Sequence, residues 1–123
     1  MIITVPTISK ELVDGKIITN KGEMILEVDT SFKAHYKFEK YFKEEEKCDL
    51  NSFVLKVEKI LKNPNKAQTE LVSILKLLYC YVSSSKLPSF EDFLGLFDYE
   101  IADEVLDEIA KVLNEVGKTA TKN

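Results

Sequence analysis

The sequence lacks arginine and tryptophan altogether, so all seventeen of its basic side chains are lysine. The guanidinium group, which binds phosphates, carboxylates and guanine edges through two parallel hydrogen bonds, is therefore missing. Twenty-one acidic residues outnumber the lysines and bring the formal net charge to -4. A chain of this charge has no general attraction to nucleic acid or to anionic lipid, and we expect neither as a partner.

Residue patterns that carry out chemistry are also scarce. The only histidine, His35, has no nucleophile in a recognisable arrangement with it, and the four glycines form no phosphate-binding loop. Cys48 and Cys80 belong to no CxxC pair; we expect Cys80 to be a small buried side chain, with a disulfide between the two as the alternative. These absences predict a protein that is not an enzyme and that has no catalytic residue, bound metal or cofactor.

No segment is apolar over a length that could cross a membrane. The most apolar stretch, from Leu71 to Val82, has twelve residues including Lys76, whereas a membrane-spanning helix needs about 20. The N-terminal sequence MIITVPTISKEL also lacks the basic and apolar regions of a secretory signal, which predicts a cytoplasmic protein.

The length of 123 residues predicts one domain over residues 1–117. We expect a β-rich part at 1–29, a helical part at 30–117 and a disordered tail at 118–123. In the β-rich part, Asp14-Gly15 and Asn20-Lys21-Gly22 both have the composition of turns, and we predict a hairpin of strands 16–19 and 23–28 around the second. Met24, Leu26 and Val28 would then share one face, and residues 2–6 would add an edge strand that ends at Pro6.

Three longer helices are predicted from apolar residues at helical spacing. The first covers about 31–45 and buries Ala34, Phe38, Tyr41 and Phe42. The second follows Asp49 and ends at Asn63-Pro64, and the third runs from Asn65 to Val82 before a loop at 83–88. The predicted fold class is α+β, predominantly α-helical, with an N-terminal β-hairpin packed on a bundle of about four to five helices.

The last third of the chain combines aromatic residues with a high density of acids. Ser89 begins a short helix with a capping-box-like start, and Asp98 begins a last helix that Gly117 ends. Residues 91–115 hold nine acids against one lysine, and Glu100 and Asp103 have the ExxD spacing of some magnesium sites. A magnesium site needs a second acidic pair from another helix, which the sequence does not supply, so we expect a solvated or partner-facing acidic surface.

The stripe of Phe90, Phe93, Leu94 and Phe97 would pack the short helix on the core, or form a partner-binding surface, or do both. The seven large side chains from Leu87 to Tyr99 exceed what a two-turn helix can bury on one face. We therefore predict a partner-binding surface with a charged rim. Its contact residues are Phe90, Phe93, Leu94, Phe97 and Tyr99.

The order of these segments resembles the tail assembly chaperones of long-tailed, siphovirus-type phages and prophages of Gram-positive hosts. The resemblance covers about residues 24–117 and is carried by four stretches: FKAHYKFEKYF (32–42), ILKLLYCYV (74–82), PSFEDFLGLFD (88–98) and the acidic YEIADEVLDEIAKVLNEVG (99–117). It implies a non-enzymatic protein that binds the helical, aggregation-prone tape measure protein and keeps it soluble until the tail tube assembles. The resemblance also implies the tail tube protein as a further partner and the assembly of this chain into a homo-oligomer.

Two alternatives from other classes remain open at this point. An acidic helical adaptor or nucleic-acid mimic would use the charged face around Asp103, Asp107 and Glu108. A helical metal-dependent nucleotide phosphohydrolase would instead need Glu100 and Asp103 to bind magnesium.

Overall fold

The computed structural model describes residues 1–83 and 87–121, and the side chains of these residues apart from 64, 68 and 117–121. Strand β1 (Ile2–Val13) pairs antiparallel with β2 (Lys16–Val28), and the short β3 (Val82–Ser83) pairs with the end of β2. The described part of the chain also contains seven α-helices, five between β2 and β3 and two after β3. The predicted class is confirmed: the protein is α+β and predominantly helical, with an N-terminal hairpin.

The hairpin is longer than predicted because its turn lies elsewhere. Asp14 and Gly15 have φ of 51° and 76°, the left-handed pair that joins two strands through a two-residue turn. Asn20-Lys21-Gly22, predicted as the turn, lies inside β2. Pro6 lies within β1 and does not end it. Because β1 is an edge strand, a proline whose nitrogen points away from β2 costs no ladder hydrogen bond.

The root of the hairpin packs on the helices through one face. Ile3 and Val5 are buried opposite Leu26 and Met24, and Val28 is buried at the end of β2. The predicted shared face of Met24, Leu26 and Val28 is therefore confirmed, although Met24 is only partly buried. Burial of this face attaches the sheet to the helical body.

Helix one is interrupted where the prediction had it continuous. It divides at Phe42, whose φ of -127° is not helical, into α1 (Lys33–Tyr41) and α2 (Lys43–Glu46). Ala34, Phe38 and Phe42 are buried as predicted, but Tyr41 is half exposed, so its assignment to the core was wrong. Helix α3 (Leu50–Leu61) follows Asp49 as predicted, and the Asp49 carboxylate caps it by accepting from the backbone N–H of Ser52.

The predicted third helix also divides, at Glu70, into α4 (Pro64–Thr69) and α5 (Leu71–Tyr81). The two breaks explain why there are more helices than the four to five predicted. Helix α5 is buried almost all round, including Lys76 at 6% exposure. The ammonium of Lys76 lies 2.8 Å from carboxylate oxygens of both Glu45 and Glu46, which compensates its charge.

The remaining elements are α6 (Phe90–Leu94), a 3₁₀ turn (Tyr99–Ile101) and α7 (Ala102–Thr121). Helix α7 continues past Gly117, so the predicted helix end there was wrong, and the helix includes residues 118–121 of the predicted tail. Residues 122–123, and residues 84–86 of the predicted loop, lie outside the described residues. Cys80 is buried and Cys48 half-buried, both as free thiols; burial raises the pKa of Cys80 to about 12.

Candidate partner-binding groove

The predicted contact residues lie on α6, on the 3₁₀ turn and on the segment between them. The hydroxyl oxygen of Ser89 accepts from the N–H of Asp92 and caps α6, as the sequence pattern predicted. The carboxylate of Asp98 accepts from the N–H of Glu100 at 2.8 Å and caps the 3₁₀ turn. The two caps leave only a short link between α6 and the 3₁₀ turn.

Phe93 and Phe90 belong to an aromatic cluster under α6. Phe93 is 0% exposed, and its ring lies 5.2 Å from that of Tyr79 and 5.1 Å from that of Phe97. The half-buried ring of Phe90 lies 4.9 Å from Phe42. Edge-on contacts at these distances are favourable between aromatic rings. Phe93 is thus a core residue with no surface for a partner in this structure, and Phe90 has only a part of its ring available.

Leu94, Phe97 and Tyr99 face a shallow groove instead. Its other wall is the first turn of α5, and the groove encloses a cavity of about 150 Å³. Tyr99 is 72% exposed, whereas Phe97 is nearly buried and forms part of the floor. The residues lining the groove are Leu71, Val72, Leu75, Leu94, Phe97, Asp98 and Tyr99.

Three of the five predicted contact residues therefore come together, and the structure adds Asp98 and three apolar residues of α5 that were not predicted as contacts. Val72 is the informative one because it lies off the buried stripe of α5 and is 52% exposed. An apolar residue at an exposed helix position is an ordinary observation by itself. Only the proximity of Tyr99, distant in sequence, makes it part of an apolar surface.

Asp98 is the acidic side chain of the groove wall. Lys10 of β1 places its ammonium 3.2 Å from the Asp98 carboxylate. Partial burial opposes ionisation of this carboxyl, but the N–H of Glu100 and the charge of Lys10 outweigh it and lower the pKa of Asp98. Asp98 therefore stays ionised at neutral pH and connects the groove with the hairpin.

The other acids of this region lie on the surface around the groove and along α7. Glu91, Asp92, Glu100, Asp103 and Glu104 are all exposed. Within the described residues, no group of three or more histidine, cysteine or acidic side chains is arranged so that it could hold a metal ion. His35 is exposed on α1, and none of the helices in the described ranges is both long and apolar enough to cross a bilayer.

Comparisons of the chain with models of protein families, with curated proteins and with solved structures found no match.

Proposed function

We propose that the protein is a tail assembly chaperone of a siphovirus-type phage or prophage, active in the cytoplasm of the bacterial host. It would bind the tape measure protein non-enzymatically and keep it soluble while the tail tube assembles. The order of aromatic, apolar and acidic segments supports this proposal, as does an apolar groove placed within an acidic surface. The observation that carries it is the groove of Leu94, Phe97 and Tyr99 against α5.

The size of the groove suits one large apolar side chain at a time. A groove of about 150 Å³ lined mainly by apolar side chains has space for one benzene-sized group. Burying one leucine or phenylalanine side chain contributes about 1.5–3 kcal/mol, which is too little for tight binding by a single site. A long helical partner that repeats such side chains would instead recruit many weakly bound copies, as a protective coat requires.

The acidic surroundings support the solubility part of the role. Like charges on neighbouring copies repel one another and oppose aggregation of the coated partner. The high density of acids beside the groove therefore agrees with a protein that must bind apolar segments and remain dispersed.

The proposal is tested by co-expression with a fragment of a siphovirus-type tape measure protein. We expect a soluble complex that Val72→Asp weakens by about tenfold or more, because the carboxylate would enter the apolar wall of the groove. The matched control is Leu55→Asp, since Leu55 is also an exposed apolar helix residue, at 58% against 52% for Val72, and it lies outside the groove.

Phe93 is not suitable for this test because its substitution would disturb the core. Both aspartate variants should unfold cooperatively at temperatures close to that of the unmodified protein. A complex that forms equally well with Val72→Asp and Leu55→Asp would remove the groove as the binding site. Failure of the unmodified chain to solubilise any tape measure fragment would contradict the proposed function.

A further inference from the structure

The outer half of the hairpin is an arm that carries apolar side chains into solvent. Residues 9–23 are all exposed, although residues 9–13 pair with residues 16–20 in the β1–β2 ladder. Four of the exposed side chains are large and apolar: Leu12, Val13, Ile17 and Ile18. Exposed apolar residues clustered on one element are typical of an interaction surface.

The register of the ladder divides these four residues between two faces. Directly opposite residues of an antiparallel pair point to the same side, and successive residues alternate. Leu12 pairs with Ile17, and this face continues through Lys10 opposite Thr19 and Ile8 opposite Lys21. Val13 and Ile18 lie on the opposite face, with partners Lys16 and Glu11.

The face of Leu12 and Ile17 is the one that meets the groove wall. Ile8 on this face is buried, and its backbone N–H donates to the carbonyl of Leu96 at 2.8 Å. Lys10, one step further along the arm, forms the 3.2 Å ion pair with Asp98. Lys21, also on this face, lowers the pKa of Asp98 through its charge. Twist of the ribbon turns the same face toward solvent at the root of the hairpin.

We propose that Leu12 and Ile17 continue the apolar groove, so that groove and arm form one docking surface for an amphipathic helix with lysines or arginines beside its apolar stripe. Leu12 lies two positions beyond Lys10 along the strand, a rise of about 6.6 Å. One helical turn rises about 5.4 Å, so a helix with one apolar side chain in the groove reaches the arm with a residue three, four or seven positions away.

The charge of the partner follows from the acids around the groove. Residues 87–110 contain eight acids and no lysine, and Glu91, Asp92 and Glu100 are exposed there. Lys10 is paired with Asp98 and offsets that one charge, which leaves the other acids of this region in excess. A cationic helix is attracted to such a rim and an anionic one is repelled, which sets both association rate and selectivity. The inference rests on the proposed function and states the chemistry of the segment that is bound.

Two synthetic peptides provide the probe, each of roughly twenty residues with leucine at helical i, i+4, i+7 spacing. One carries lysine and the other glutamate at the remaining charged positions. We compare Leu12→Thr/Ile17→Thr with Val13→Thr/Ile18→Thr, which alters the opposite face of the same arm. Threonine keeps the strand preference of the positions, so both variants should retain the hairpin, as circular dichroism would verify.

We expect the lysine peptide to bind more tightly than the glutamate peptide, measured by calorimetry at low and moderate salt. Leu12→Thr/Ile17→Thr should weaken binding of the lysine peptide by about tenfold, the loss of one good apolar contact. Val13→Thr/Ile18→Thr should change it by less than about twofold.

Equal effects of the two variants, or a preference for the glutamate peptide, would overturn the inference. So would unchanged peptide affinity in Leu12→Thr/Ile17→Thr together with a loss of self-association in sedimentation, since the face would then bind a second copy. Peptide binding that needs Val72 but not the arm would leave the groove intact and remove only the arm. If Leu12→Thr/Ile17→Thr weakens peptide binding and Val13→Thr/Ile18→Thr does not, but the unmodified chain fails to solubilise a tape measure fragment, only the proposed function would be contradicted.

Discussion

Replacing Phe93 by alanine is the perturbation that most directly separates core from contact surface in the aromatic segment. Its ring is 0% exposed and lies between those of Tyr79 and Phe97, with centroids 5.2 and 5.1 Å away. Removing a buried phenylalanine ring costs about 3–5 kcal/mol, from lost transfer free energy and from the cavity that remains. Since a domain of this size has a free energy of unfolding of about 5–15 kcal/mol, Phe93→Ala should lose a large part of it.

The assay is equilibrium unfolding in urea, followed by circular dichroism, with Tyr99→Ala as the matched aromatic control. Tyr99 is 72% exposed, so its truncation should change the free energy of unfolding by less than about 0.5 kcal/mol. Both curves should share one m-value, which would show that the same surface is exposed on unfolding. A loss of unfolding free energy below about 1 kcal/mol for Phe93→Ala, or an equal loss for Tyr99→Ala, would refute the assignment of Phe93 to the core and of Tyr99 to the exposed wall of the groove.

Three further outcomes are expected from local geometry. Burial raises the pKa of the Glu46 carboxyl, but hydrogen bonds and charge from Lys76 and Lys56 outweigh burial, so the pKa is lowered overall. The stability that ionised Glu46 contributes is therefore present above the ordinary pKa and is lost as the pH falls through the lower pKa of the folded state. Glu46→Gln should therefore lower the free energy of unfolding near neutral pH by roughly 1–3 kcal/mol and flatten its decline in acid, measured by urea titration at several pH values; an unchanged acid profile would contradict this. Gly15→Val should destabilise the hairpin by about 1–2 kcal/mol, because φ is +76° there, and a neutral result would contradict the turn. Ser89→Ala should cost about 1 kcal/mol in the same urea assay through loss of the α6 cap.

Features that depend on near neighbours in the chain were predictable from sequence. The caps at Asp49, Ser89 and Asp98 form as the patterns indicated, since each needs only a side-chain oxygen and an N–H two or three residues later. The buried stripe of α3 was equally predictable from its spacing. These elements are determined within one or two helical turns.

The errors arose where two local signals competed or where distant elements decided. Asp14-Gly15 and Asn20-Lys21-Gly22 are both acceptable turns, and the pairing of twelve residues on each side favoured the first. No proline or glycine stands at the helix breaks at Phe42 and Glu70, so the local sequence did not predict these breaks. At the first break, the ammonium of Lys76 pairs with Glu45 and Glu46 of α2, an arrangement that a straight helix would alter.

The candidate site divides in the same way. Composition and spacing by themselves determined that residues 90–99 carry more large apolar side chains than a short helix needs and that acids surround them. Only the tertiary structure decided that Phe93 completes the core, that Val72 lines the groove and that the arm reaches Asp98 through Lys10. The reason is physical: helical spacing shows which side chains share a face, whereas their exposure depends on what packs against that face from elsewhere in the chain.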